Sequence, residues 1–134
     1  MRAEDVTDAL QLRGIHPAWL KVSPTEFGLN VRLDGAPGTC SVDIDETGDR
    51  LFIVLDDDWP IDVPLAGDIV QGLWQWLSPA LLGRYAELQV GNAVRTSRAM
   101  GLRQEGGNWS LLIVEKGMVR QRVLRINRIW SPYN

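Results

Sequence analysis

The sequence is poor in the residues that most often carry chemistry: it has one cysteine and one histidine. A single cysteine excludes an internal disulfide, and Cys40 with His16 leaves too few soft ligands for a zinc site. No apolar run approaches the ~18 residues that cross a bilayer as a helix. Met1-Arg2-Ala3-Glu4-Asp5 lacks the apolar core of a signal peptide. These absences lead to the expectation of a cytoplasmic, soluble protein with no membrane partner. Gly101, Gly106 and Gly107 are not followed by Lys-Ser/Thr, and neither they nor Gly91 open a helix after a strand, so no nucleotide cofactor is expected. Linkers and internal repeats are also lacking, and residues 1–134 are expected to form a single domain.

What is present is the composition of a globular core: 45% hydrophobic residues, 23% charged residues and six tryptophans in 134 residues. Charge is unevenly placed. Residues 1–67 carry 13 acidic and 5 basic side chains, whereas residues 68–134 carry 4 and 9. Such a dipolar chain has either two solvated surfaces of different sign or an acidic face that attracts a basic partner and repels nucleic acid. Arginine dominates the basic residues, with Lys21 and Lys116 the only lysines.

Ala3, Val6, Ala9 and Leu10 recur at helical spacing, with Glu4, Asp5 and Asp8 near the end where a helix favours acids. They predict a helix from about 3 to 13, closed by Gly14. Phe27, Leu29, Val31 and Leu33 then alternate with polar or small residues, as do Cys40, Val42 and Ile44. Leu51 to Leu55 is a continuous apolar run, the pattern of a strand covered on both faces. With turn residues at 34–38 and 46–49, these segments predict a three-strand antiparallel meander over 26–55.

From Leu65 the period becomes helical through Ile69, Leu73, Trp76 and Leu77, widened by Val70, Trp74 and Leu81. Ser78-Pro79 fits the cap and first position of a further helix carrying Leu81, Leu82, Tyr85 and Leu88. Val94 to Leu102 fits either a strand or a basic helical turn, and Trp109 to Val114 reads as a strand after Gly106-Gly107-Asn108. Between Met118 and Ile129 strand alternation fails at Leu124-Arg125. Val119, Val123, Ile126 and Trp130 instead recur at helical spacings, so a C-terminal helix is expected. The fold class is therefore α+β: an antiparallel sheet flanked by an N-terminal helix, a long helical region and a C-terminal helix.

No constellation of residues points to catalysis. Cys40 alternates with Val42 and Ile44 as a core thiol would, and His16 stands beside Pro17 in an apolar connection, so neither has the neighbours of an activated nucleophile. Asp56, Asp57 and Asp58 lack the spaced ladder of a calcium loop and read as solvated acids that protect a sheet edge. Arg120, Arg122, Arg125 and Arg128 on a helix would track phosphates, but they are interleaved with residues that must pack, and the chain is acidic overall. Nucleic acid is therefore not an expected partner. Trp74 and Trp76 lie about 200° apart on a helix. One core does not easily cover both, which points to an intermolecular surface.

The order of elements resembles the small type III secretion effector chaperones, in particular the broad-specificity, Tir-chaperone-like group of the invasion-protein-B type. The likeness is carried by Gly14 to Leu20, by Phe27 to Gly35, by Gly38 to Asp45 and by Leu51 to Leu55. The arginine-rich C-terminus and the stretch from Asp57 to Pro64 depart from that pattern. The resemblance implies a homodimer without cofactor or catalysis, which keeps the N-terminal segment of a secreted effector extended and ready for secretion. It also implies client-binding apolar patches at Val6, Leu10, Phe27, Leu29, Val31 and Leu33. The dimer interface would fall at Trp74, Leu77, Leu81, Tyr85 and Leu88. The charge map admits a second reading, an immunity protein that neutralises a toxin through its acidic N-terminal half.

Overall fold

The N-terminal periodicity produces helix α1 (Ala3–Leu12), in which Asp5 Oδ2 accepts a hydrogen bond from the Arg2 amide and Val6 and Leu10 are buried. This is a computed structural model that describes residues 2–92, 94–117 and 122–134. Gly14, at φ +102°, ends the helix, and a single 3₁₀ turn (Pro17–Trp19) leads into the first sheet.

That sheet is an up-and-down meander of β1 (Leu20–Pro24), β2 (Leu29–Leu33), β3 (Val42–Glu46), β4 (Arg50–Leu55) and β5 (Trp59–Pro64). The three strands expected from alternation are its middle three. The meander is larger than expected because Leu20 and Val22 form an extra strand, and because Pro60 and Pro64 lie on an edge strand, where a missing N–H is tolerated. Register places Val31, Ile44, Ile53 and Ile61 in one row across the sheet and Leu33, Val42, Leu55 and Trp59 in the next. These rows form the inner face, against which α1 and helix α2 (Ile69–Leu81) pack.

Helix α2 starts at Asp68, whose carboxylate accepts from the Val70 amide at 2.8 Å, and buries Val70, Leu73, Leu77 and Ala80. It runs through Ser78-Pro79 without a break, so no second helix begins there. Pro79 lies in the last turn, where only one intrahelical bond is lost. Tyr85 and Leu88, expected on a helix, lie on strand β6 (Tyr85–Gly91). The strand is buried on both faces near its start, so it lacks alternation there and its apolar residues imitate a helical stripe.

Strand β6 is the centre of a second antiparallel sheet, flanked by β7 (Thr96–Arg103), then β8 (Trp109–Val114), and on its other side by β9 (Arg122–Ile129). Three hairpin-connected strands and a fourth that returns beside the first make a Greek key. The C-terminal segment is therefore a strand where a helix was expected; Met118, Val119 and Arg120 of that expected helix lie outside the described residues. The chain is α+β with two antiparallel sheets of five and four strands, an N-terminal helix and a longer internal helix.

The two sheets share one core. Tyr85, Met100, Trp130 and Tyr133 pack with the inner rows of the meander. The Tyr85 hydroxyl donates to the Trp76 carbonyl at 2.7 Å, and the Tyr133 hydroxyl donates to the Cys40 carbonyl at 2.6 Å. Strand β6 is thereby tied to α2, and the C-terminal residues to the loop before β3.

Candidate functional site

The residues singled out for chemistry are held by structural roles. Cys40 is fully buried, and burial, reinforced by the charge of Asp56, pushes its thiol up to about 12, which keeps it protonated. The His16 ring is exposed, lies tilted 5.4 Å from the Trp19 ring and accepts a hydrogen bond from the Ala18 amide at Nδ1, capping the 3₁₀ turn. Among the described residues no group of three or more His, Cys, Asp or Glu side chains converges as a metal site would require.

Asp56, Asp57 and Asp58 form the tight turn between β4 and β5, with φ +55° and +57° at the first two, a conformation aspartate tolerates better than most residues. Each carboxylate has an arginine from another strand. Asp57 meets Arg32 of β2 at 2.8 Å, Asp58 lies 3.7 Å from Arg98 of β7, and Asp56 lies 3.9 Å from Arg128 of β9. The Arg32 hydrogen bonds hold Asp57 below the usual carboxylate range. Desolvation raises Asp56 above that range, opposed by the charge of Arg128. Arg98 also bridges Glu87 and Glu115 and lies over the Trp59 ring at 5.3 Å. Part of the acidic and basic asymmetry read from the sequence is thus satisfied within the molecule, across the junction of its two sheets.

The outer face of the first sheet is polar on β2 and β3, whereas on β4 it leaves Phe52 exposed, so that strand is covered on one face and not on both as its apolar run suggested. Asn30 donates to Asp43 and Asp45, Arg32 reaches Asp34 and Asp43, and Arg50 pairs with Asp62 at 2.7 Å.

The second sheet differs on its two faces. One face, with Tyr85 and Met100, contributes to the shared core. The opposite face gathers Ala86, Leu88, Val90 and Ala99 beneath Trp109, Leu111, Val114 and Val123. Every member of this cluster comes from the four strands themselves, and among the described residues no apolar side chain of a helix or of the first sheet joins it. Ile126 and Ile129 extend the same face and are 46% and 49% exposed, a fraction that leaves apolar surface available for contact.

The client-binding positions implied by resemblance lie elsewhere. Val6, Leu10, Leu29, Val31 and Leu33 are packed inside the chain, on α1 and on the inner face of β2, whereas Phe27 is 74% exposed in the turn between β1 and β2. Of the implied dimer positions, Leu77, Tyr85 and Leu88 are buried. Trp74 and Leu81 are half-buried on α2, with the Arg13 guanidinium 5.5 Å from the Trp74 ring centre, and the neighbouring Leu82 is exposed. The surface that sequence reading missed is the open face of the second sheet. Its signal is the recurrence of an arginine-aliphatic pair at Arg122-Val123, Arg125-Ile126 and Arg128-Ile129, every third residue. Compared with protein-family models, with curated protein sequences and with solved structures, the chain has no match in any of the three.

Proposed function

We propose that this chain is a non-catalytic protein-binding domain that holds an extended segment of another protein, with a secreted effector as the partner that the resemblance to type III secretion chaperones implies. The observation that supports this reading is the apolar face of the second sheet, built by Trp109, Leu111, Val114, Val123, Ile126 and Ile129 and left without a covering layer among the described residues. An extended chain gains affinity from backbone hydrogen bonds and selectivity from alternate side chains, and a partly exposed sheet accommodates both. The test is calorimetry with a permanently unfolded, carbamidomethylated polypeptide and with its native folded form. Uptake of the unfolded form alone is the expected result, and binding of neither form refutes the reading.

The second reading, toxin neutralisation, draws on Asp34, Asp43, Asp45, Asp57 and Asp62, which line the outer face of the first sheet or the loops beside it. Arg32, Asn30 and Arg50 already engage these groups, which lowers the field they present to a basic partner. Exclusive binding to a folded basic domain would favour it. The chaperone reading also carries a homodimer, with the seam on the outward side of α2 at Trp74, Leu81 and Leu82. Light scattering should then give the mass of two chains, and Leu82→Glu should return it to one. A single-chain mass for the unaltered protein would remove the dimer and leave segment binding to stand on its own test.

A further inference from the structure

Strand β9 follows a three-residue rhythm. Arg122, Arg125 and Arg128 lie opposite Gly91, Gln89 and Glu87 of β6, while Val123, Ile126 and Ile129 lie opposite Val90, Leu88 and Ala86. Leu124 and Asn127 are the residues the register skips. Each skipped residue is a bulge that resets the alternation, so the arginines share one face of the strand and the aliphatic residues share the other.

Strand β6 therefore shows what lies well against β9. Acid and amide side chains face Arg128 and Arg125, and aliphatic side chains face the aliphatic row. The other edge of β9 has no strand beside it among the described residues, because β9 ends its sheet. The outer strands of the first sheet carry Pro24 on β1 and Pro60 and Pro64 on β5, residues that discourage further pairing. β9 contains no proline and no acidic residue. Arg125 donates to Asn127 and pairs with no carboxylate among the described residues.

From this juxtaposition we infer that the outer edge of β9 takes up an extended segment of a partner protein in which carboxylate and aliphatic side chains alternate. The segment adds a fifth strand to the second sheet. Its acids pair with Arg122 and Arg125, since Arg128 is already engaged by Asp56 and the Trp130 ring, and its aliphatic side chains extend the row of Val123, Ile126 and Ile129. A second copy of the chain is not the occupant: antiparallel pairing of β9 with itself that keeps aliphatic beside aliphatic sets arginine against arginine. A nucleic acid would meet the arginines but leave the backbone edge and the aliphatic row unused. The inference rests on the reading of the second sheet as a protein-binding surface and specifies the chemistry of its partner.

The test uses the full chain in fluorescence anisotropy with three probes: a labelled peptide of alternating Glu and Val, its Lys and Val counterpart, and a short single-stranded oligonucleotide. The acidic peptide should bind tighter than the basic one by about tenfold or more. Arg125→Glu should reverse that ranking, with Arg122→Glu as the second variant if the first does not fold. Arg103→Glu, an equal change of charge at the exposed end of β7, should preserve the ranking. Amide hydrogen exchange should slow within Arg122–Ile129 when the acidic peptide is present. Equal affinity for the two peptides, tighter binding of the oligonucleotide, loss of the ranking in Arg103→Glu, or unchanged exchange in β9 would each overturn the inference. If the unfolded polypeptide still binds while these results fail, only the β9 assignment falls. If no peptide and no unfolded polypeptide binds, the functional reading falls with it.

Discussion

Adding one methyl group at Gly101 tests the packing of the second sheet. The Gly101 backbone is not in the left-handed region, so alanine is conformationally acceptable. Its Cβ would lie 2.5 Å from Leu88 Cδ1 and 3.2 Å from Leu88 Cγ and from the Trp109 ring. Leu88 is fully buried, so its side chain has little room to turn aside. Overpacking of this kind costs about 1–3 kcal/mol, offset by about 0.4–1 kcal/mol from the smaller entropy of the unfolded chain. Gly101→Ala should therefore destabilise by about 1 kcal/mol. Leu88→Ala alone opens a cavity and should cost about 2–5 kcal/mol. In the double variant the new methyl enters space vacated by the leucine, and the total loss should fall short of the sum by about 1 kcal/mol or more. Urea unfolding followed by far-ultraviolet circular dichroism measures all three losses. Strict additivity, or a stabilising Gly101→Ala, would refute the packing of β6 against β7 on this face.

Tyr133→Phe removes the hydroxyl that donates to the buried Cys40 carbonyl and should cost about 1–2 kcal/mol in the same assay, with the fold retained. Stability should fall in alkali because the Cys40 thiol, ordinarily near 9, is pushed up to about 12 by burial. The unfolded chain releases that proton first, so this group contributes a loss of about 1.4 kcal/mol per pH unit within the window. Urea midpoints at about pH 10 should accordingly fall less for Cys40→Ala than for the unaltered protein, each relative to its own midpoint at neutral pH. Ile126→Asp, on a half-exposed edge position, should lower stability by only about 1 kcal/mol yet abolish binding of the alternating acidic peptide in anisotropy.

Strands β2 and β3 were legible because each has one buried and one solvated face. Leu29, Val31 and Leu33 alternate with Asn30 and Arg32, so period two appears directly in the sequence. The second half obscures its strands for two physical reasons. β6 is buried on both faces near Tyr85 and Ala86, which erases alternation. β9 carries bulges at Leu124 and Asn127, so its apolar residues recur every third position and imitate a helix. The break in alternation at Leu124-Arg125 that argued against a strand falls at the first of these bulges. Ser78-Pro79 misled because the same pair that opens a helix also fits its last turn. The open apolar face escaped notice for a related reason: it exists only once β6, β7, β8 and β9 are brought together from separate parts of the chain. The pairing of Asp56, Asp57 and Asp58 with Arg128, Arg32 and Arg98 likewise requires three distant segments to meet.

The most direct test of the proposed function is hydrogen-deuterium exchange of the full chain, read by mass spectrometry, with and without the permanently unfolded polypeptide. The account predicts slower exchange concentrated in β8 and β9, with α1 and the strands β2 and β3 unchanged. Protection confined to the acidic outer face of β2 and β3, with none in the second sheet, would contradict it.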